Sequence, residues 1–181
     1  MSRINPVAKE QANEEQRALY DAIQSQLGMV PNFLKVFAHS PAALRAFLGL
    51  HGIANEGSLD PQTRERIALG LAEQNACQYC VSAHSAIGRK AGLSSAEIDA
   101  NRAGSSQDAK AAVAVKFARS LAANKGGVTT AELLEVRNAG YGESEIVEII
   151  THVGMNVLTN ILGKASQVEI DFPKVSLLQA S

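Results

Sequence analysis

Helix start and stop signals recur along this chain and leave little room for other regular structure. Prolines follow the N-cap residues Ser40 and Asp60, a position that proline favours at the start of a helix. Capping-box spacings begin at Ser94 and Thr129, and glycine follows several apolar-periodic segments. No sustained period-2 alternation rich in Val, Ile and Thr interrupts them. The sequence therefore predicts an all-α fold.

The periodic segments can be assigned to successive helices without any gap that would mark a linker. The expected helices cover residues 13–27, 32–38 and 41–55, begin at 60, 77 and 94, and continue over 106–124, 129–140 and 143–165. A tail over about 166–181 is predicted to be extended, and the chemically informative core lies at about 60–92. We therefore expect residues 1–181 to form a single helical domain.

Charge and cysteine content exclude several classes of function. The chain has 17 basic and 18 acidic side chains, a formal charge of −1 that argues against nucleic-acid binding. No stretch approaches the ~18 uncharged apolar residues of a membrane span, and the N-terminus lacks the apolar core of a secretory signal. The two cysteines are three positions apart, which indicates redox or metal chemistry in a reducing compartment. A cytoplasmic protein is the expectation.

The segment around the two cysteines carries the strongest chemical signal. In a helix, Cys77, Cys80 and His84 fall within an arc of roughly 60°. A thiol at a helix start lies near unpaired N–H groups and the positive end of the dipole, which favours the thiolate. His84 is four residues from Cys80 and seven from Cys77, so it should activate Cys80 more directly. Cys80 is thus expected to attack and Cys77 to resolve.

A thiolate beside a second thiol supports peroxide reduction followed by disulfide closure, and equally thiol–disulfide exchange with a protein partner. Two buried, unreactive cysteines remain an alternative, because free cysteine is often buried. A structural zinc is disfavoured: Glu73 would be the fourth ligand, and four ligands on one helical stripe cannot surround an ion tetrahedrally. No metal and no cofactor are predicted.

The motif Cys77-x-x-Cys80-x-x-x-His84, with Glu65 twelve positions before the first cysteine, resembles the signature of the alkyl hydroperoxidase D (AhpD) and carboxymuconolactone decarboxylase superfamily. This resemblance implies an AhpD-like helical bundle, commonly assembled as a trimer or hexamer. It also implies that Cys80 reacts with peroxide, that Cys77 resolves, and that Glu65 and His84 form a proton relay.

Two further segments, Val30–Asn32 and Glu169–Pro173, resemble the peroxidase-related branch of that superfamily. The implied function is a thiol-dependent peroxidase acting on a small hydroperoxide and reduced by an external dithiol. A protein disulfide-exchange adaptor and a carboxymuconolactone decarboxylase-like lyase are the alternatives.

This chain departs from the family pattern at two positions. Tyr79 stands where founding peroxidases carry a histidine, and tyrosine cannot act as a base near neutral pH. Gly163 stands where the branch pattern has a third asparagine after Asn156 and Asn160. We expect Tyr79 to be a wall of the substrate pocket.

The proposed relay requires a break in the chain between its members. On one straight helix Glu65 and Cys77 would be about 18 Å apart along the axis and about 120° apart around it. A break over Gln74–Ala76 is therefore expected, with Asn75 as the N-cap of the following helix.

The last long helix carries a polar stripe, His152, Asn156 and Asn160, on an otherwise apolar surface. The stripe is expected either to be a seam in a subunit interface or to line the active-site pocket, and in both cases the amides should be hydrogen-bonded. The apolar helix itself predicts a homo-oligomer.

Overall fold

The computed structural model describes residues 2–178, and within that range the chain is helical without a β-strand. After a short 3₁₀-helix, Lys9–Gln11, come α1 (Glu14–Leu27), α2 (Asn32–Phe37), α3 (Pro41–Ala54), α4 (Pro61–Gln74), α5 (Gln78–Lys90), α6 (Ser95–Arg102), α7 (Ala109–Ala123), α8 (Thr130–Asn138) and α9 (Glu143–Ser166). The all-α prediction is confirmed, with helix boundaries within about three residues of those expected.

Local capping explains most of these boundaries. The side chains of Asn13 and Thr129 each accept the N3 backbone N–H and complete a capping box. The box expected at Ser94 is only half formed. Ser94 accepts the Glu97 N–H, but the Glu97 carboxylate turns inward and pairs with Arg66 at 2.7 Å. A buried cation has replaced the exposed backbone N–H as the partner of that carboxylate.

Helix α4 lies at the centre of the fold and packs against α5, α6, α7 and α9. Its stretch from Ile67 to Leu71 is buried throughout. One apolar core lies on the α7, α8 and α9 side of α4, and a second joins α1, α2 and α3 to the start of α5. This second core positions the cysteine pair.

The expected break between α4 and α5 is present. Asn75 ends α4, Ala76 adopts a left-handed conformation with φ of 50°, and the Cys77 N–H donates to the Ala72 carbonyl at 2.9 Å. The expectation that Asn75 caps α5 is wrong, because Cys77 itself is the N-cap residue. The tight reversal leaves α5 packed along α4, so that residues far apart in sequence meet.

Helix α9 is long and apolar enough to cross a membrane by length and composition alone, yet 44% of the relevant window is buried. It packs against α3, α4, α5 and α7, as a core helix of a bundle does. Its outer face exposes apolar side chains, including Val147 and Ile161, both 61% exposed. Assembly into a homo-oligomer stays a prediction, which this exposed face supports.

After α9 the chain runs extended over α5, as the sequence indicates. The backbone N–H of Val175 donates to Ser82, and Gln78 donates to the Val175 carbonyl. Arg102 then binds the Ser176 carbonyl. The last part of the predicted tail, residues 179–181, lies outside the described residues.

Candidate functional site

A disulfide joins Cys77 and Cys80 at the start of α5, with their Cα atoms 5.3 Å apart. As the N-cap residue, Cys77 accepts a hydrogen bond from the Cys80 N–H through its sulfur, at 3.3 Å. Cys77 is 1% exposed and Cys80 is 4% exposed. The structure thus has the pair in its oxidised form, with both sulfurs at the positive end of the helix dipole.

Gly163 of α9 forms the seat of this disulfide. A Cβ atom at this position would lie 2.8 Å from the Cys77 sulfur and 3.5 Å from the Cys80 sulfur. Real Cβ atoms essentially never approach a heavy atom that closely. The departure of Gly163 from the family's asparagine pattern thus has a local cause in this chain: the sulfur pair occupies the space that a side chain would need.

Glu65 of α4 and His84 of α5 form a hydrogen-bonded pair, with the carboxylate Oε2 2.9 Å from the imidazole Nδ1. Both side chains are partly buried. Because the carboxylate can only accept, Nδ1 carries the proton, and in the neutral imidazole Nε2 is the basic nitrogen. The reversal at Ala76 has brought together two groups that one straight helix would have kept apart.

A cleft of about 570 Å³ connects these groups. Cys80, Glu65 and His84 all line it, whereas Cys77 lies behind its wall. The remaining wall is largely apolar, with four aromatic rings: Phe33, Phe47, Tyr79 and Phe172. A cleft of this size and character is typical of a binding site for a small organic molecule.

Tyr79 is held rigidly in that wall. Its hydroxyl donates to Asp171 Oδ1 at 2.7 Å and accepts the Phe33 N–H at 3.3 Å, and its ring stacks on Phe33. Burial, and then the bond to the Asp171 carboxylate, raise the pKa of the Tyr79 hydroxyl above its usual value. The neutral phenol is a fixed wall and cannot supply the base that a histidine would.

The polar stripe of α9 is buried within the chain. Asn156 lines the cleft and donates to the His152 carbonyl, while Asn160 accepts from Asn75 at 2.8 Å. His152 is buried behind the wall, where desolvation lowers its pKa. Each amide makes one hydrogen bond as expected, but the buried Nδ2 of Asn160 has no partner within residues 2–178. Of the stripe's three members only Asn156 lines the cleft.

Sequence reasoning missed three features of this site. It did not foresee Asp171 as the anchor of Tyr79, or Gly163 as the seat of the disulfide, because both are distant in sequence from the groups that they contact. It also overlooked Arg64, which lines the cleft beside the predicted Glu65. Phe47 and His51 of α3 also line the cleft, and their four-residue spacing in the sequence is a signal that could have indicated this wall.

Comparison with known proteins agrees with this architecture. Residues 41–123 match the model of the carboxymuconolactone decarboxylase family. No protein in the curated collection of sequences matches the chain.

Three solved structures are similar over nearly the whole chain. An uncharacterized peroxidase-related protein from Ralstonia eutropha JMP134, described as an alkylhydroperoxidase AhpD core, is 23% identical, with a TM-score of 0.85 over 94% of this chain and 92% of that one. A peroxidase-related protein from Silicibacter sp. TM1040 is 24% identical, with a TM-score of 0.80 over 92% of each chain. The debrominase Bmp8, in complex with 2,3,4-tribromopyrrole, is 18% identical, with a TM-score of 0.77 over 94% of this chain and 92% of that one.

At these identities the structural likeness establishes the fold, and the family match covers the segment that holds Glu65, both cysteines and His84. Residues 41–123 therefore match the carboxymuconolactone decarboxylase family, and the chain as a whole has the fold of the AhpD-core peroxidase-related proteins.

Proposed function

We propose that this protein is a thiol-dependent peroxidase that reduces organic hydroperoxides. The observation that carries the proposal is the shared cleft. One sulfur of a closed Cys77–Cys80 pair borders it, and so does the Glu65–His84 pair that can move a proton. The other sulfur lies behind the wall, within bonding distance of the first.

The proposed reaction starts from the reduced pair. The Cys80 thiolate attacks a peroxide oxygen, the O–O bond breaks, and an alcohol leaves as Cys80 becomes a sulfenic acid. His84, held by Glu65 through Nδ1, takes the thiol proton at Nε2 and returns it to the departing alkoxide. The Cys77 thiol then attacks the sulfenic sulfur, expels water and closes the disulfide.

An external dithiol must supply two electrons and two protons to reopen the bond. Because Cys80 borders the cleft and Cys77 is behind it, the incoming thiolate attacks the Cys80 sulfur and Cys77 leaves. The departing Cys77 thiolate is stabilised by the Cys80 N–H and by the start of α5. The N-cap role of Cys77 thus suits it as the resolving and leaving sulfur, in a compartment that keeps such dithiols reduced.

Two cysteine variants test these roles. Cys80→Ser should abolish consumption of cumene hydroperoxide in the presence of a dithiol. Cys77→Ser should permit one turnover and then accumulate a sulfenic acid, detected by trapping with dimedone and mass spectrometry. Thermal unfolding of both variants controls for loss of structure. Unchanged peroxide consumption by Cys80→Ser would overturn the proposal.

The same assay separates the two alternatives raised by the sequence. Turnover of a protein disulfide without turnover of hydroperoxide would favour an exchange adaptor. A lyase acting on a lactone-like acid has no use for a second sulfur, so its activity should survive the Cys77→Ser substitution.

The aromatic wall supports reductive dehalogenation as a second candidate function. Phe33, Tyr79 and Phe172 border the cleft beside Cys80, and one protein of this fold is a debrominase crystallised with a bromopyrrole. The two thiols could replace a bromine on the ring with hydrogen. Bromide and a proton are then released and the disulfide closes. Bromide release from a bromopyrrole by the reduced protein, absent in Cys80→Ser, would favour this reaction.

A further inference from the structure

We propose that the cleft selects hydroperoxides with a long apolar body and a carboxylate at the far end, which binds Arg64 and Lys90. This inference rests on the proposed peroxidase function and specifies its substrate class. It follows from the course of the cleft, the character of its walls and the placement of its charges.

The cleft follows one face of α5. Cys80, His84, Ile87 and Lys90 line it, and their spacings of four, three and three residues place them on the same side of the helix. Ten residues separate Cys80 from Lys90, or about 15 Å along the helix axis. A ligand lying along this face can therefore reach Cys80 with one end and Lys90 with the other.

The walls between these ends are suited to an apolar chain. Phe47 and Leu48 of α3, Leu34 of α2, Ile23 of α1 and Met155 of α9 all line the cleft. Burying apolar surface contributes roughly 25 cal/mol per Å². An extended alkyl chain would gain most from such a wall, and a compact polar peroxide would gain little.

Two cations line the cleft beyond His84: Lys90 is at the end remote from Cys80, and Arg64 lies between Gln62, which contacts Ala91, and Glu65, which contacts His84. Among the lining side chains of residues 2–178, the permanent cations are Arg64 and Lys90. The first turn of α4 meets the end of α5 there, since Gln62 donates to the Ala91 carbonyl at 3.1 Å. Arg64 is oriented by its bond to the Asn55 carbonyl at 2.6 Å.

The one carboxylate that borders the cleft, within the same described range, does not cancel this charge. Glu65 is engaged by His84 at 2.9 Å, and Arg64 and Lys90 together outweigh it. A guanidinium and an ammonium at the end of an apolar channel complement a carboxylate, whose charge-assisted hydrogen bonds are stronger than neutral ones.

Binding can be measured without chemistry. Isothermal titration of the full-length oxidised protein should give a dissociation constant about tenfold lower for dodecanoate than for methyl dodecanoate. The double variant Arg64→Gln/Lys90→Gln should reduce that ratio to within about twofold, and Lys90→Gln alone should reduce it partly. Lys125→Gln, an exposed substitution in the loop after α7, should leave the ratio unchanged. Equal affinity of the wild-type protein for acid and ester overturns the proposal.

Turnover distinguishes this inference from the function on which it rests. With a fatty-acid hydroperoxide, the double variant should raise KM about tenfold and leave kcat nearly unchanged. Lys90→Gln alone should raise that KM less and should reduce cumene hydroperoxide as the wild type does. Reduction of cumene hydroperoxide without preference for the acid would overturn the inference and leave the peroxidase intact. Preferential binding of dodecanoate without any peroxide turnover would overturn the peroxidase and leave the carboxylate site intact.

Discussion

At the scale of single residues, Gly163 offers the sharpest test of the site. Gly163→Ala would drive a methyl group against the Cys77 sulfur and should destabilise the oxidised protein by roughly 1–3 kcal/mol. Gly154→Ala is the matched control, because it lies on the same helix and its Cβ would meet no atom within 4 Å. Alanine is the better helix former, so the control should be neutral or stabilising. Thermal unfolding followed by circular dichroism would check both, and equal melting temperatures would contradict the role of Gly163.

Residue types at helical spacing were the part of the site that sequence could predict. The spacing of Cys77, Cys80 and His84 placed them together, and the resemblance to a family added Glu65. The partners of Tyr79 could not be predicted, because Asp171 is 92 positions away and no local period relates them. The sequence also led to the wrong N-cap for α5. Cys77 rather than Asn75 is the cap because Ala76 adopts a left-handed conformation, which is unusual for alanine and cannot be predicted from its residue type.

At the scale of elements, the bond between Tyr79 and Asp171 anchors the C-terminal segment to α5. Tyr79→Phe removes one buried hydrogen bond, worth about 1 kcal/mol or more because a carboxylate loses its donor. The segment around Val175 should then open more often, so its amide should exchange hydrogen faster. Tyr141→Phe, which removes a hydroxyl bond to the Lys110 carbonyl, is the control and should leave that exchange unchanged. Unaltered protection of Val175 in Tyr79→Phe would show that the anchor lies elsewhere.

Helix boundaries could be predicted closely because caps are local. Proline after Ser40 and Asp60, and the box at Thr129, involve residues no more than a few positions apart. The capping box expected at Ser94 is the exception, because the Glu97 carboxylate pairs with Arg66, 31 positions away. Local capping rules do not apply where tertiary structure offers a buried charge.

At the scale of the whole molecule, that carboxylate links α4, α6 and the loop before α7. Burial alone would raise the pKa of Glu97, but hydrogen bonds from Ser106, Asn101, the Gln107 N–H and Arg66 outweigh it and lower the pKa to about 2. Since the unfolded value is 4.5, the ionised form stabilises the fold above about pH 4.5. This contribution, about 3 kcal/mol, is lost as the pH falls through 4.5 toward 2.

Denaturant titrations at several pH values would measure this contribution. The wild-type protein should lose stability between pH 5 and 2.5, and Glu97→Gln should show a flatter dependence over the same interval. Glu56→Gln, an exposed substitution, should follow the wild-type curve. Parallel curves for wild type and Glu97→Gln would place the acid sensitivity in other groups.

The placement of Cys80 at the wall and Cys77 behind it has a kinetic consequence for the proposed peroxidase. The peroxide and the reducing dithiol must both enter the same cleft and react with the same sulfur, that of Cys80. They cannot be present together, so each must depart before the other arrives. The enzyme would then follow ping-pong kinetics and alternate between a dithiol and a disulfide form. The dithiol form would hold a pair of electrons until the next peroxide binds.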